Sequence, residues 1–167
     1  DYIFPGNQNE QKSLRELEAR VEKDFEVSRF IVCADAGLNG WENKVYNDMK
    51  RNGAYIVTQP IRKMAKTMKE WAISPDGWEL EGHPGTFSLN DLEGKEFIEV
   101  SGEKRRIRDL VFFKHRWEKR TRKSESSGGT YTLEENYIVT YSRKFADYQN
   151  HIREKKLERA RKLLSNP

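Results

Sequence analysis

Apolar residues in the first part of the chain follow two different patterns. A spacing of three or four predicts a helix over about residues 9–25. The apolar positions of this face are Leu14, Leu17, Val21 and Phe25. Uninterrupted apolar runs at 30–34 and 54–58 predict two buried strands, with a helix near 40–51 between them. These elements form a βαβ unit, for which parallel strands and a right-handed crossover are expected.

The pattern changes after Pro60, where one short helix precedes a series of strand-like runs. A short amphipathic helix is predicted at 61–71, followed by strand-like runs at 96–101 and 106–113 and a third at 131–141. The polar tip at 124–129 makes 106–141 a predicted long β-hairpin. Helical spacing returns at 145–164, where basic residues surround a rough apolar stripe.

These elements predict an α/β fold class with three segments. Residues 1–60 form an α/β core, 61–142 form a mainly β insertion, and 143–167 form a basic helix that returns to the core. The chain opens on what the pattern predicts is the end of a strand, with no initiator methionine. We therefore expect a piece of a longer protein.

The net charge of +4 hides two basic stretches. Residues 104–123 hold ten Lys or Arg against two acids, and 143–162 hold eight against three. The rest of the chain is net acidic. Such concentrated charge favours a polyanionic partner, although solvated faces of a hairpin and a helix would give the same pattern.

One cysteine, Cys33, lies inside an apolar run, where we interpret it as a small core residue. A single cysteine excludes an internal disulfide and is typical of a cytoplasmic protein. No apolar run is long enough for a signal peptide or a membrane span. The three histidines show no metal-ligand spacing.

Asp35 is the first candidate for chemistry because it follows a predicted buried strand directly. In open α/β sheets the carboxyl ends of strands are where ligands and metals bind. The alternative is a turn residue that accepts backbone N–H bonds from Gly37 and Leu38. Asn39 and Glu42 predict a capping pair for the following helix, although Asn39 could also contact a substrate phosphate.

Two motifs resemble bacterial insertion-sequence transposases of the DDE class. The run IFPGNQNE at 3–10 resembles the turn after the third strand of their ribonuclease H-like catalytic domain. The run FIVCADAGLN at 30–39 resembles the strand that carries their second catalytic aspartate. One large group of these enzymes has a β-rich insertion before the last catalytic residue. The resemblance implies a partial ribonuclease H-like fold with a mainly β insertion and a C-terminal helix.

The resemblance assigns Asp35 as a catalytic residue and as a ligand of two Mg²⁺ or Mn²⁺ ions. The family's first aspartate would precede this chain. Its catalytic glutamate lies in a Tyr-x2-Arg-x3-Glu-x6-Lys pattern that is absent here, so we expect it beyond Pro167, with Glu154 and Glu158 as fallback candidates. Alone, this fragment is expected to bind metal weakly and to be inactive.

The implied partner is double-stranded DNA, at transposon ends and at the target, and the DNA complex is compatible with a homodimer. The predicted nucleic-acid-binding residues are Arg105, Arg106, Arg108, Lys114, Arg116, Trp117, Lys119 and Arg120. The basic side chains would follow the phosphate backbone. Trp117 and Tyr131 would stack on an unpaired or flipped base, or would belong to a hydrophobic core, and Trp71 and Trp78 are rivals for the stacking role.

Two alternative functions differ from the transposase in what they require of these residues. In a nucleic-acid-binding module without catalysis, Asp35 would only stabilise a turn. In a ribonuclease H-like nuclease, the acids would be kept but the basic, aromatic insertion would be lacking. An aspartate on an upstream strand and the Tyr-Arg-Glu-Lys helix downstream would favour the transposase.

Overall fold

The computed structural model describes residues 10–25, 30–50 and 53–165, and its fold class is mixed α/β. The helices are α1 (Glu10–Phe25), α2 (Trp41–Met49), α3 (Lys66–Ile73) and α4 (Arg143–Ser165). The strands are β1 (Phe30–Ala34), β2 (Gly53–Val57), β3 (Glu79–Leu80), β4 (Phe97–Val100), β5 (Glu103–Arg106), β6 (Phe112–Ser124) and β7 (Gly129–Tyr141). Three short 3₁₀ turns lie at Ile61–Lys63, Leu89–Leu92 and Ile107–Asp109. Most of the predicted motif at 3–10 falls outside the described residues.

The described residues divide into two compact units. The first holds the chain up to Glu70 together with 117–135, and the second holds 71–116 together with the chain from Asn136 onward. The hairpin of β6 and β7 contributes to both. Residues 117–135, here called the distal arm, belong to the first unit, where they pack on the α/β elements.

The first unit contains the predicted βαβ arrangement. β1 and β2 pair in parallel, with Phe30 opposite Gly53 and Ala34 opposite Val57, which confirms the predicted pairing. α2 packs against β2 and α1, and Val45 on α2 is fully buried. Helices over a sheet bury its apolar face, so this packing places the ends of both strands beside the start of α2.

Only one of the two faces of β1 is buried. The expectation that this strand is buried on both faces is therefore wrong. Val32 is buried, whereas Ile31 is half exposed and Cys33 is exposed. Successive side chains of a strand point to opposite faces, so the buried face of β1 is the one that carries Val32. The interpretation of Cys33 as a core residue is therefore wrong.

The second unit is built on a core of aromatic and aliphatic side chains. Phe112 and Ile107 are fully buried, and Phe87 packs edge-on against Phe112 with ring centroids 5.5 Å apart. β3 pairs with β6, and β4 pairs with β5. Because 103–106 pairs with β4, the long hairpin begins at Phe112 rather than at 106 as predicted. Most of α4 is exposed, including Phe145 and Leu157.

No described helix combines the length and the apolar character that a membrane span requires.

Candidate active site

Asp35 lies directly after β1, at the carboxyl end of the two-stranded sheet, with its side chain exposed. The Gly37 N–H donates to Asp35 Oδ1 over 2.8 Å, and the Leu38 N–H donates to the Asp35 carbonyl over 3.3 Å. These bonds close a tight turn, which is the geometry expected of a turn-forming aspartate. The same geometry leaves the carboxylate facing solvent at the place where sheet proteins bind ligands.

Asn39 links the ends of the two strands. The prediction that it caps α2 is wrong. Its Nδ2 donates to the Thr58 carbonyl over 2.9 Å and to Gln59 Oε1 over 2.8 Å. The residue before α2 is Gly40, which has no side chain to offer as a cap. Asn39 therefore fixes the segments that follow β1 and β2 to each other, and so holds the turn that carries Asp35.

Glu42 binds the tip of the distal arm instead of forming a capping box. Its carboxylate accepts hydrogen bonds from both hydroxyls, Ser124 and Ser126, at 2.9 and 2.8 Å. It also accepts from the backbone N–H groups of Glu125 and Ser126. Burial acts to raise the pKa of Glu42, but these hydrogen bonds outweigh it and hold the pKa below its usual value.

A second and more buried contact between the arm and the α/β elements centres on Glu135 of β7. Lys44 Nζ of α2 lies 2.8 Å from its Oε1, and the Tyr55 hydroxyl of β2 donates to the same oxygen over 3.1 Å. Arg120 of β6 donates to Oε2 from Nε over 3.1 Å and from Nη2. Exposed fractions of the Lys44 and Glu135 side chains are 5% and 8%, so this pair is screened little by water.

The charges around Glu135 set its ionisation. Burial acts to raise the pKa of Glu135, but the hydrogen bonds and positive charges of Lys44 and Arg120 lower it overall. Burial beside Glu135 raises the pKa of the Tyr55 phenol, so this hydroxyl stays a donor. The cluster is thus an ionised carboxylate with three donors.

Trp41, the first residue of α2, carries two guanidinium groups of the distal arm. Arg120 Cζ lies 5.9 Å from the centre of the indole ring, and Arg122 Cζ lies 5.6 Å from it. Arg120 is also bonded to Glu135, whereas Arg122 is exposed and has no carboxylate partner in the described part of the chain. One arginine without a carboxylate partner, Arg122 of β6, therefore lies beside the start of α2.

The predicted nucleic-acid-binding residues are divided between the two units. In the second unit Arg105, Arg106, Arg108 and Arg116 are exposed, and Arg106 pairs with Glu96 at 3.2 Å. Lys114 is buried: its ammonium donates to the Ser74 carbonyl over 2.9 Å and lies 4.5 Å from the Trp78 ring centre. Lys114 is therefore not part of a DNA-binding surface, because its ammonium already binds the Ser74 carbonyl and the Trp78 ring inside the unit.

The three remaining predicted residues, Trp117, Lys119 and Arg120, belong to the first unit. Trp117 is 59% exposed, so the alternative that it belongs to a core does not hold. Lys119 pairs with Glu134 at 3.4 Å, and Arg120 is committed to Glu135. Tyr131, the other stacking candidate, donates its hydroxyl to Asp48 over 2.9 Å, and the rival Trp78 is buried.

Among the described residues no group of three or more Asp, Glu, His or Cys side chains is placed to hold a metal ion. Asp35 fits one ligand position of Mg²⁺, which takes few protein oxygens and keeps several waters. A pair of ions needs further carboxylates in addition to Asp35.

Sequence patterns did not indicate that Glu42, Lys44 and Glu135 join the distal arm to α2. One signal was present in β7, where alternation places Glu135 on the same face as Leu133, which is fully buried. A carboxylate on an inward face indicates a buried cationic partner.

Acid should loosen the distal arm. The folded pKa values of Glu42 and Glu135 lie below the unfolded value of about 4.3, so their stabilisation is present above that pH and is lost as the pH falls through the folded values. In urea titrations we expect the free energy of unfolding to stay constant as the pH is lowered to about 5, and to decrease below about pH 4. The double variant Glu42→Gln, Glu135→Gln should show a shallower fall. If it has the same acid profile as the exposed control Glu134→Gln, these carboxylates do not cause the fall.

Comparison with known proteins gives no relative for this chain: no family model, curated protein or solved structure matches it.

Proposed function

We propose that this chain is part of a DDE-type transposase with a ribonuclease H-like core, which cleaves and transfers DNA strands with the help of divalent metal ions. The observation that carries the proposal is the placement of Asp35: an exposed carboxylate at the carboxyl end of a parallel sheet, beside a helix whose first residue holds an uncompensated arginine. Oxygen ligands and phosphate-binding cations are what strand transfer requires together.

In this proposal each group has a separate task. Asp35 contributes one oxygen ligand toward Mg²⁺ or Mn²⁺, and the remaining ligands come from other parts of a longer protein. When bound, a pair of such ions stabilises the attacking and the leaving oxygen of the phosphodiester. Arginines of this chain bind backbone phosphates of double-stranded DNA, at transposon ends and target, and α4 adds a net positive, largely exposed helix.

Nicking of supercoiled plasmid by the longer protein tests the proposal. We expect nicked circles to form in Mg²⁺ or Mn²⁺, none to form in EDTA, and cut 3′ ends to be joined to a second DNA molecule. Nicking that persists in EDTA, or its absence in either metal with DNA bound, would overturn the proposal. Nicking without joining would favour the nuclease alternative.

The turn geometry of Asp35 favours a second candidate, a nucleic-acid-binding module without catalysis. The Gly37 N–H bond already gives the carboxylate a structural use. In that case DNA binding would be unaffected by metal, and Asp35→Asn would change neither DNA affinity nor any DNA product.

A further inference from the structure

We infer that Arg122 is a positioning residue that binds a DNA backbone phosphate near the one that is cleaved at Asp35. This inference rests on the proposed function. It assigns to one arginine a role that the run of basic residues in the sequence does not distinguish from its neighbours.

The Arg122 guanidinium makes a cation–π contact with Trp41 and has no carboxylate partner in the described part of the chain. Its Cζ lies 5.6 Å from the centre of the indole ring, within the range in which a cation is attracted to an aromatic face. Planar N–H donors of this kind match the oxygens of a phosphate. Arg120 has a similar contact with Trp41, but Glu135 already occupies its donors.

The turn after β1 keeps Trp41 close to Asp35. The Leu38 N–H bond to the Asp35 carbonyl closes a turn whose first and last Cα atoms lie within about 7 Å. Gly40 N–H then bonds to the Leu38 carbonyl over 2.9 Å, and α2 begins at the next residue. Arg122 is therefore held at the sheet edge that carries Asp35, within reach of a phosphate near the cleaved one.

Two clamps on the arm hold Arg122 in place before any ligand binds. Glu42 binds Ser124, two residues after Arg122, and Glu135 binds Arg120, two residues before it. An arginine already fixed between two such contacts loses little conformational entropy on binding a phosphate. This preorganisation separates Arg122 from an ordinary surface arginine.

Salt titration of DNA binding tests this assignment with a matched control. Fluorescence anisotropy measures the affinity of the chain for a labelled DNA duplex as a function of NaCl concentration. We expect Arg122→Ala to weaken binding about fivefold and to reduce the slope of log K against log salt by about 1. The control is Lys123→Ala, which removes the same charge from the next residue, on the opposite face of β6. We expect it to change the slope by less than about half as much.

Arg122→Lys separates charge from geometry. It keeps one positive charge but loses the planar guanidinium fork, so we expect affinity between that of the wild type and that of Arg122→Ala. Arg122 is exposed, so the thermal midpoint should not change in any of these variants. A shifted midpoint that accompanies the loss of affinity would mean that Arg122 acts through folding and would overturn the assignment.

Failure of this inference differs from failure of the proposed function. If Arg122→Ala and Lys123→Ala behave alike, or if the wild-type chain does not bind duplex DNA, Arg122 is not a positioning residue, whatever the plasmid assay gives. If Arg122→Ala gives the expected slope change but the longer protein nicks no plasmid, the phosphate contact stands and the catalytic proposal fails. Tighter binding to an RNA duplex of the same sequence would contradict a DNA-positioning role.

Discussion

Glu135→Gln is expected to lower the free energy of unfolding by about 3 kcal/mol. The substitution keeps the size of the side chain but removes the negative charge that faces Lys44 and Arg120. Lys44 would then be a buried ammonium without a carboxylate, and an uncompensated buried charge costs far more than a surface ion pair contributes. The distal arm should detach from α2 before the rest of the unit unfolds.

Urea denaturation at pH 7 measures this loss. Glu134→Gln is the matched control, because it removes the same charge one residue earlier, where the pair with Lys119 is exposed. The control should cost less than about 1 kcal/mol. A double variant, Lys44→Met with Glu135→Leu, should recover part of the lost stability, because it removes the buried ammonium but leaves Arg120 and Tyr55 without their acceptor. Equal losses for Glu135→Gln and Glu134→Gln would show that Glu135 does not anchor the arm.

Asp35→Asn should reduce metal-dependent nicking by the longer protein by at least about 10³-fold. Asparagine has the same shape and keeps an oxygen that can accept the Gly37 N–H, so the turn should persist. What it lacks is the negative charge that attracts a divalent cation. The substitution therefore separates the catalytic role of Asp35 from its role in the turn.

Two controls accompany Asp35→Asn. Asp91→Asn removes an exposed carboxylate of the second unit and should leave nicking within about twofold of wild type. DNA affinity of Asp35→Asn, measured by anisotropy without metal, should equal or exceed that of wild type, because one repulsive charge is lost. A drop in both affinity and thermal midpoint would instead assign Asp35 to folding.

Local sequence patterns predicted the α/β elements well. The apolar runs at 30–34 and 54–58 are bounded by turn residues, and the structure has β1 and β2 within one residue of them, paired in parallel. α1 follows from one apolar stripe, and α4 follows from helical spacing across 145–164. Such elements depend on neighbours along the chain, which is why periodicity finds them.

Contacts between distant segments could not be predicted in this way. Residues 103–106 pair with β4 although all four are charged, so they have no alternation of apolar and polar positions that would predict a strand. Glu42 looks like a capping residue in sequence, yet its partners are more than 80 positions away. Basic residues of the hairpin were predicted to follow the DNA backbone, but the side chains of Lys114 and Arg120 bind acceptors inside their own units.

The role of Asp35 is tested most directly by one comparison: single-turnover nicking of duplex DNA at saturating concentration in Mg²⁺, by the wild-type longer protein and by its Asp35→Asn variant. A catalytic aspartate predicts equal occupancy of the DNA and a nicking rate that falls by at least about 10³-fold in the variant. Equal nicking rates would contradict it and would leave Asp35 as the residue that closes a turn.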